Sequence, residues 1–201
     1  MAKASLRAWQ RMLSGRRLDL LDPSAMDIEI EDIAHGLSRV ARWNGQTSGE
    51  WAFSVADHSL LVEEVCRRLK PSLSPNELMC ALLHDAPEYV IGDLISPFKA
   101  MIGGDYKALE NRLLNACLIA FTDCGEMAAP LKRLVKRADH VAAYLEATQL
   151  AGFSVGEADK IFGRPRDAVA EDLMLVPRPP NEAKRAFLAR FAALAEAQRA
   201  A

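Results

Sequence analysis

The architecture this chain predicts is an all-α, single-domain helical bundle, with room for a small hairpin near the N-terminus. Three observations lead there. Ala and Leu dominate, half of the residues are hydrophobic and only 6% are aromatic, a balance that suits helices better than sheets. Apolar residues recur at three- and four-residue spacing through most of the chain, and Gly, Pro or a capping residue ends each run. At 201 residues the chain can bury one continuous core but is short for a second full domain, so 1–201 reads as a single unit.

Taken in order, residues 5–13 are expected to form a short helix. Brief alternation in Leu18-Asp19-Leu20 and Ile28-Glu29-Ile30, around Pro23, allows a small hairpin between Gly15 and Ile30. From Glu31 to Trp43, Ile33, Leu37 and Val40 fall at helical spacing until Asn44-Gly45 stops the run. A polar loop follows over 44–50. Ser54 then caps a helix to about Leu69, whose inward stripe holds His58, Leu61, Val62, Val65 and Leu69. Pro71 ends it. Ser74-Pro75-Asn76-Glu77 has capping-box spacing with proline at the first helical position, and the helix it opens is expected to carry His84 and Asp85.

Gly92 and Pro97 interrupt the chain again, and Gly103-Gly104 marks a turn before a long helix from about Asp105 to Thr122. Pro130 opens the next helix, to about Leu150, with the apolar stripe Leu131, Val135, Ala138, Ala142 and Leu145. Asp139 lies inside that stripe, where a carboxylate needs a partner. Residues 152–180 are rich in Gly and Pro and read as irregular, with one helical turn among them. Asn181 caps a terminal helix over about 181–199 that buries Phe187, Phe191 and Leu194.

Composition narrows the classes of function. Lys and Arg total 25 against 27 Asp and Glu, a formal charge of -2 that leaves no electrostatic footprint for nucleic acid or an anionic membrane. Cysteines 66, 80, 117 and 124 form no Cys-x-x-Cys pair, and read as buried thiols in a reducing compartment. With no apolar signal region near the start and no run of about 18 apolar residues, the cytoplasm is the default location. The sequence also carries no Gly-rich phosphate loop or dinucleotide fingerprint, against a kinase or a redox enzyme.

The chemistry concentrates on the adjacent pair His84-Asp85, one nitrogen and one oxygen donor for a divalent cation. Two neighbours on a helix cannot complete a coordination shell, so further ligands must come from other helices. His58 and Asp139, each in a core-facing stripe, supply them. Singly these are ordinary signals: an inward His is commonly a hydrogen-bonded core residue, and Asp139 has Lys136 and Arg137 as neighbours to pair with. Together, two imidazoles and two carboxylates make a partial shell for one divalent metal ion, Mn, Co, Fe, Zn or Mg. His35 and His140, the remaining histidines, read as structural or surface residues.

These residues resemble a family, the HD-domain metal-dependent phosphohydrolases. The resemblance runs through Ser54-Val-Ala-Asp-His58-Ser, Leu83-His84-Asp85-Ala-Pro-Glu88, Gly92-Asp93 and Lys136-Arg-Ala-Asp139, within a motif core of about 31–150. It is closest to the bacterial 5′-deoxynucleotidase group, because Glu88 and Asp93 follow the His-Asp pair and Arg42-Trp43 precedes the first His. The resemblance implies an HD-type helical bundle with His58, His84, Asp85 and Asp139 on the metal. It implies Glu88 and Asp93 as the acid-base pair, Arg42 on the phosphate, and Trp43 beside the sugar, where it favours deoxyribose. From spacing alone, Glu88 also reads as an exposed helix carboxylate, Asp93 as a turn cap and Trp43 as a helix-end core aromatic. A longer N-terminal section and the loop from Asn44 to Trp51 depart from the simplest pattern of the group.

The expected function is release of phosphate from 5′-(deoxy)ribonucleoside monophosphates by a metal-bound water. Two alternatives use the same residues: a phosphodiesterase or pyrophosphohydrolase acting on a cyclic or signalling nucleotide, and a non-catalytic metal- or nucleotide-binding sensor. The expected partner is a small nucleotide, with no nucleic acid and no membrane. The apolar face of the terminal helix, together with the resemblance, suggests a homodimer.

Overall fold

The computed structural model describes residues 7–95, 101, 104–165 and 172–200. The expected interruption at Pro97 and the turn residue Gly103 lie outside the described residues.

Among the described residues the fold is all-α apart from one hairpin. Strands β1 (Trp9–Arg11) and β2 (Arg17–Asp19) pair antiparallel, with Gln10 opposite Leu18. The helix expected over 5–13 is therefore not formed, and the hairpin lies earlier than the alternation at 18–30 suggested. Its reason is non-local: Arg7 and Arg17 each place a guanidinium 4.4 Å from the centre of the Trp9 ring, while Leu18 on the other face is fully buried.

Among the described residues eight α-helices follow: α1 (Ile30–Leu37), α2 (Val55–Leu69), α3 (Pro75–Leu82), α4 (Glu88–Ile91), α5 (Gly104–Phe121), α6 (Ala129–Gln149), α7 (Val155–Ile161) and α8 (Pro180–Ala200). Helix α2 is central, packing on α3, α6 and α8, while α1 packs on α4 and α8. Ile33, Leu37, Val62, Met79, Leu82 and Phe187 are fully buried in the main core. Phe187 and Leu194 of α8 belong to that core, so the apolar face of the terminal helix is covered within the chain. A smaller cluster joins Tyr144, Ala147 and Ala158, with Trp43, Phe153 and Phe162 against it. Cys66, Cys80 and Cys117 are buried free thiols, and burial pushes those of Cys66 and Cys117 up to about 12.

The caps of α2 and α3 form as their sequences imply. The Ser54 side chain accepts from the Asp57 amide, and Ser74 and Glu77 complete a reciprocal capping box with Pro75 in the first turn. Ser154 and Glu157 form a second box and open α7, two turns of helix in a stretch expected to hold one. Its Ser-x-x-Glu signal was legible; the surrounding glycines and prolines masked it.

Two helices stop earlier than their periodicity suggests, and both endings shape the site. Helix α1 ends at Leu37, not Trp43. Beyond it the chain extends and pairs with the approach to α2: the Arg42 amide donates to Phe53 O at 2.8 Å and the Val55 amide to Val40 O at 3.0 Å. Helix α3 ends at Leu82, so His84 and Asp85 lie on turns between α3 and α4 rather than on a helix. Pro87 disfavours helical geometry at the residue before it, and the chain tightens there, with Ala86 N–H donating to Leu83 O. No helix among the described residues is long and apolar enough to cross a membrane.

Helix α4 is held close to α1 because Gly36 has no side chain: a Cβ there would lie 2.7 Å from Tyr89 Cβ. Gly156 in α7, by contrast, has nothing within 4 Å of that position. Gly36→Ala is therefore expected to destabilise the fold by about 1–2 kcal/mol through overpacking, while Gly156→Ala stabilises it by roughly 0.5 kcal/mol. Opposite shifts of the thermal midpoint in the two variants check this; a rise for Gly36→Ala would refute the close approach.

Candidate metal centre

Helix α2 presents His58 in its first turn, and the turn is fixed from outside the helix. Ser54 Oγ donates to Asp57 Oδ2 at 2.6 Å, and Arg178 Nε donates to Asp57 Oδ1 at 2.6 Å. Helix α6 lies against α2 and presents Asp139 and, two turns later on the same face, Glu146. The α3–α4 connection supplies His84 and Asp85. These elements bring the four expected ligands together. The donor atoms of His58, His84 and Asp139 lie within 4.8 Å of one another. Asp85 Oδ2 is 3.4 Å from His58 Nε2 and 3.3 Å from His84 Nε2, and Asp139 Oδ1 is 3.3 Å from His58 Nε2.

The ring nitrogens show that this donor set fits a metal. His58 Nδ1 donates to Glu146 Oε1 at 2.5 Å, and His84 Nδ1 donates to the Ala81 carbonyl at 2.9 Å, an oxygen that can only accept. In both rings the proton thus sits on Nδ1, and each Nε2 is buried without a hydrogen bond. An imidazole whose far nitrogen is held by a carboxylate or carbonyl, with the near one bare, is the arrangement of a metal-ligating histidine. His58 and His84 form the floor, with side chains 0% and 7% exposed, whereas Asp85 and Asp139 stand at the mouth with 25% and 39%.

Charge around the floor favours a cation. Burial and Arg42 push the His58 imidazole down, but Glu146, Asp139 and Asp85 outweigh them and raise its proton affinity well above the usual value. Burial pushes Asp85 up, yet His84 and His58 hold it well below the ordinary carboxylate range, and the nearby His58 ring lowers Asp139 against its burial in the same way. A proton and a metal ion thus compete for His58 Nε2.

The remaining expected residues converge on the same place by a route the sequence did not reveal. Arg42 Nη1 pairs with Asp93 Oδ2 at 3.0 Å, and Arg42 Nε pairs with Glu146 Oε2 at 3.1 Å. Trp43 Nε1 donates to the same Glu146 oxygen at 2.8 Å. Trp43 and Asn44 have φ of 56° and 51°, in the left-handed region that residues with a side chain seldom occupy. The Trp43 ring packs on Phe153 and Phe162, at centroid distances of 5.6 and 5.7 Å. Glu88 opens α4, one element beyond the turns that carry His84 and Asp85, and is not the exposed helix carboxylate its spacing suggests. It is buried, and with Glu146, Asp93 and Asp85 it offsets the desolvation of the Arg42 charge. His140 is exposed and His35 half-buried on α1, and neither enters the ligand cluster.

Glu146 is the residue of this cluster that sequence reasoning missed. It follows Asp139 by seven residues and Ala142 by four, on one helix face. That spacing was the available signal.

The chain is 59% identical over 184 residues to an uncharacterized protein of Rhodobacter capsulatus, across 92% of this chain and 94% of that one. It is 31% identical over 137 residues to the 5′-deoxynucleotidase of Cronobacter sakazakii, across 56% of this chain and 67% of that one. No protein-family model matches the chain.

A divalent cation that binds only the folded protein should raise its stability, by about 2.7 kcal/mol at a hundredfold excess over Kd. Manganese or cobalt is expected to raise the thermal midpoint of the wild type and to leave that of His84→Ala nearly unmoved. The affinity should fall as the pH is lowered, because His58 gains a proton on the nitrogen that the metal needs. An equal midpoint shift in His84→Ala would place the metal elsewhere.

Proposed function

Because this chain belongs to one family with the R. capsulatus protein and the C. sakazakii 5′-deoxynucleotidase, we propose that it is an HD-domain, metal-dependent phosphohydrolase. Its reaction would be release of phosphate from 5′-deoxyribonucleoside monophosphates. The observation that carries this reading is the pair of bare, buried Nε2 atoms of His58 and His84, facing Asp85 and Asp139 beside a guanidinium held by two carboxylates.

His58, His84, Asp85 and Asp139 would hold one divalent ion. When bound, the ion acidifies a water and balances the negative charge of a phosphate. Glu88 would take the proton of the attacking water, a role that its burial and its charge interaction with Arg42 support. Arg42 spends Nε on Glu146 and one Nη1 proton on Asp93, which leaves three of its five N–H groups to bind the phosphate oxygens. The clamp is thus aimed in advance, and Asp93 acts by aligning it. Trp43, fixed by its indole N–H, forms the wall for the sugar.

Asp85, Glu88, Asp93, Asp139 and Glu146 set five carboxylates against the single guanidinium of Arg42. Without a divalent ion such a site repels a phosphate dianion, so hydrolysis should depend fully on added metal.

A phosphate-release screen over deoxy- and ribonucleoside monophosphates tests the reading. Glu88→Gln is expected to lower kcat by about 10²–10⁴-fold while keeping the metal-induced thermal shift. Asp85→Ala should lose both. Full metal-dependent turnover by Asp85→Ala, or pyrophosphate or a linear monophosphate as the product, would sink it.

A further inference from the structure

Glu146 has no exposed surface, and its two oxygens serve two halves of the site. Oε1 accepts from His58 Nδ1, and Oε2 accepts from both Trp43 Nε1 and Arg42 Nε. We infer that Glu146 is a positioning residue that couples metal affinity to sugar selection, by holding His58 in its metal-ready tautomer and Trp43 in its left-handed backbone conformation. The sugar half rests on the nucleotidase reading above; the metal half needs only the ligand cluster.

Both halves follow from donor and acceptor chemistry. An ionised carboxylate is the one side-chain group of this size that offers acceptors alone, so every group facing it must donate. His58 is thereby obliged to carry its proton on Nδ1 and to present Nε2 to Asp85 and Asp139. Trp43 sits at φ 56°, ψ 28°, where Cβ crowds the backbone, and it stays there only because the surroundings hold it. The rings of Phe153 and Phe162 pack against it, one tilted and one T-shaped, and Glu146 Oε2 fixes its indole N–H. Arg42, the preceding residue, is bound to the same oxygen, so one carboxylate orders two consecutive side chains of the 3-10 turn Arg42–Gly45. Because Glu146 and Asp139 share a face of α6, a shift of that helix would move a ligand and the sugar wall together.

The separating variants are Glu146→Gln, which keeps the shape, and Trp43→Phe, which keeps the ring but removes its N–H. A Gln amide has one acceptor oxygen and one donor NH2, so it can satisfy His58 or the Trp43–Arg42 pair but not both. Three readouts apply: manganese affinity of the substrate-free protein, the indole ¹⁵N–H resonance of Trp43, identified by its disappearance in Trp43→Phe, and the deoxy-to-ribo ratio of kcat/KM.

Glu146→Gln is expected to weaken manganese binding by about 10–100-fold, or to move the Trp43 resonance and lower the sugar ratio, according to which way the amide faces. Trp43→Phe should lower the sugar ratio while retaining metal affinity, and the double variant should lower it no further than the stronger single one. Wild-type metal affinity together with a wild-type indole resonance in folded Glu146→Gln overturns the inference. Should that variant not fold, Trp43→Phe decides alone, and an unchanged sugar ratio overturns it. If the wild type hydrolyses no nucleoside monophosphate, the nucleotidase reading falls. Metal affinity and the indole resonance still decide the role of Glu146.

Discussion

His58 has no exposed surface; Glu146 holds its Nδ1 while Asp85 and Asp139 flank its unbonded Nε2, and the rest of the structure is arranged to deliver these three carboxylates to one ring. A buried imidazole that lacked partners would cost several kcal/mol in lost hydrogen bonds. Helix α6 must therefore lie against α2 at a register that delivers Asp139 to one side of the ring and Glu146 to the other. The α3–α4 turn must then close over the same ring with Asp85. Outside this contact α2 buries ordinary apolar residues, Val62 and Val65 among them, against its neighbours. The metal floor and the hydrophobic core are thus built on one helix, and the polar end borrows its precision from the apolar one.

Much of this was legible in the chain, for a stateable reason. His58 and Asp139 stand out because each interrupts an apolar stripe, and a polar group on a buried face demands a local explanation. His84 and Asp85 stand out by adjacency, although the sequence could not show that a turn carries them, since the apolar run Cys80 to Leu83 continues helical spacing past the point where Pro87 forces a tighter path. Arg42 and Trp43 drew attention only through the resemblance. The helical period runs past the end of α1 because Val40 keeps the spacing, although its carbonyl pairs with the Val55 amide. Glu146 was invisible for a different reason. A glutamate near the end of a charged helix ordinarily faces water, and only the arrival of three donors from residues about a hundred positions away shows otherwise. The hairpin at 9–19 shares that character, since Trp9 gains its cationic neighbours only once the chain has doubled back.

The electrostatic plan of the site separates two tasks that the proposed reaction must reconcile. Binding a cation calls for negative charge, and binding a phosphate calls for positive charge. Here the carboxylates at the mouth, Asp85 and Asp139, flank the bare histidine nitrogens, whereas Glu146 and Asp93 are turned onto Arg42. The second pair does not merely neutralise the guanidinium. By engaging Nε and Nη1 it fixes the plane of the group, so its unengaged edge faces one way. Burial of Arg42, Asp93 and Glu146 is tolerable because each has a counterpart at hydrogen-bonding distance.

The paired backbone around Arg42 and Phe53 has a consequence for how this fold can vary. The chain leaves that pairing at Arg42 and returns to it at Phe53, and Ser48 N–H donates midway to Leu150 O at the end of α6. Residues 44–52 are thus an excursion with a pinned base. Closing a somewhat longer loop costs little additional entropy, since the cost grows only with the logarithm of its length. The rim beside the Trp43 wall can therefore lengthen, shorten or change its chemistry across relatives while the ligand geometry a few residues away stays where it is. The chemistry of this rim is open to change by editing one loop, without a compensating change in the core.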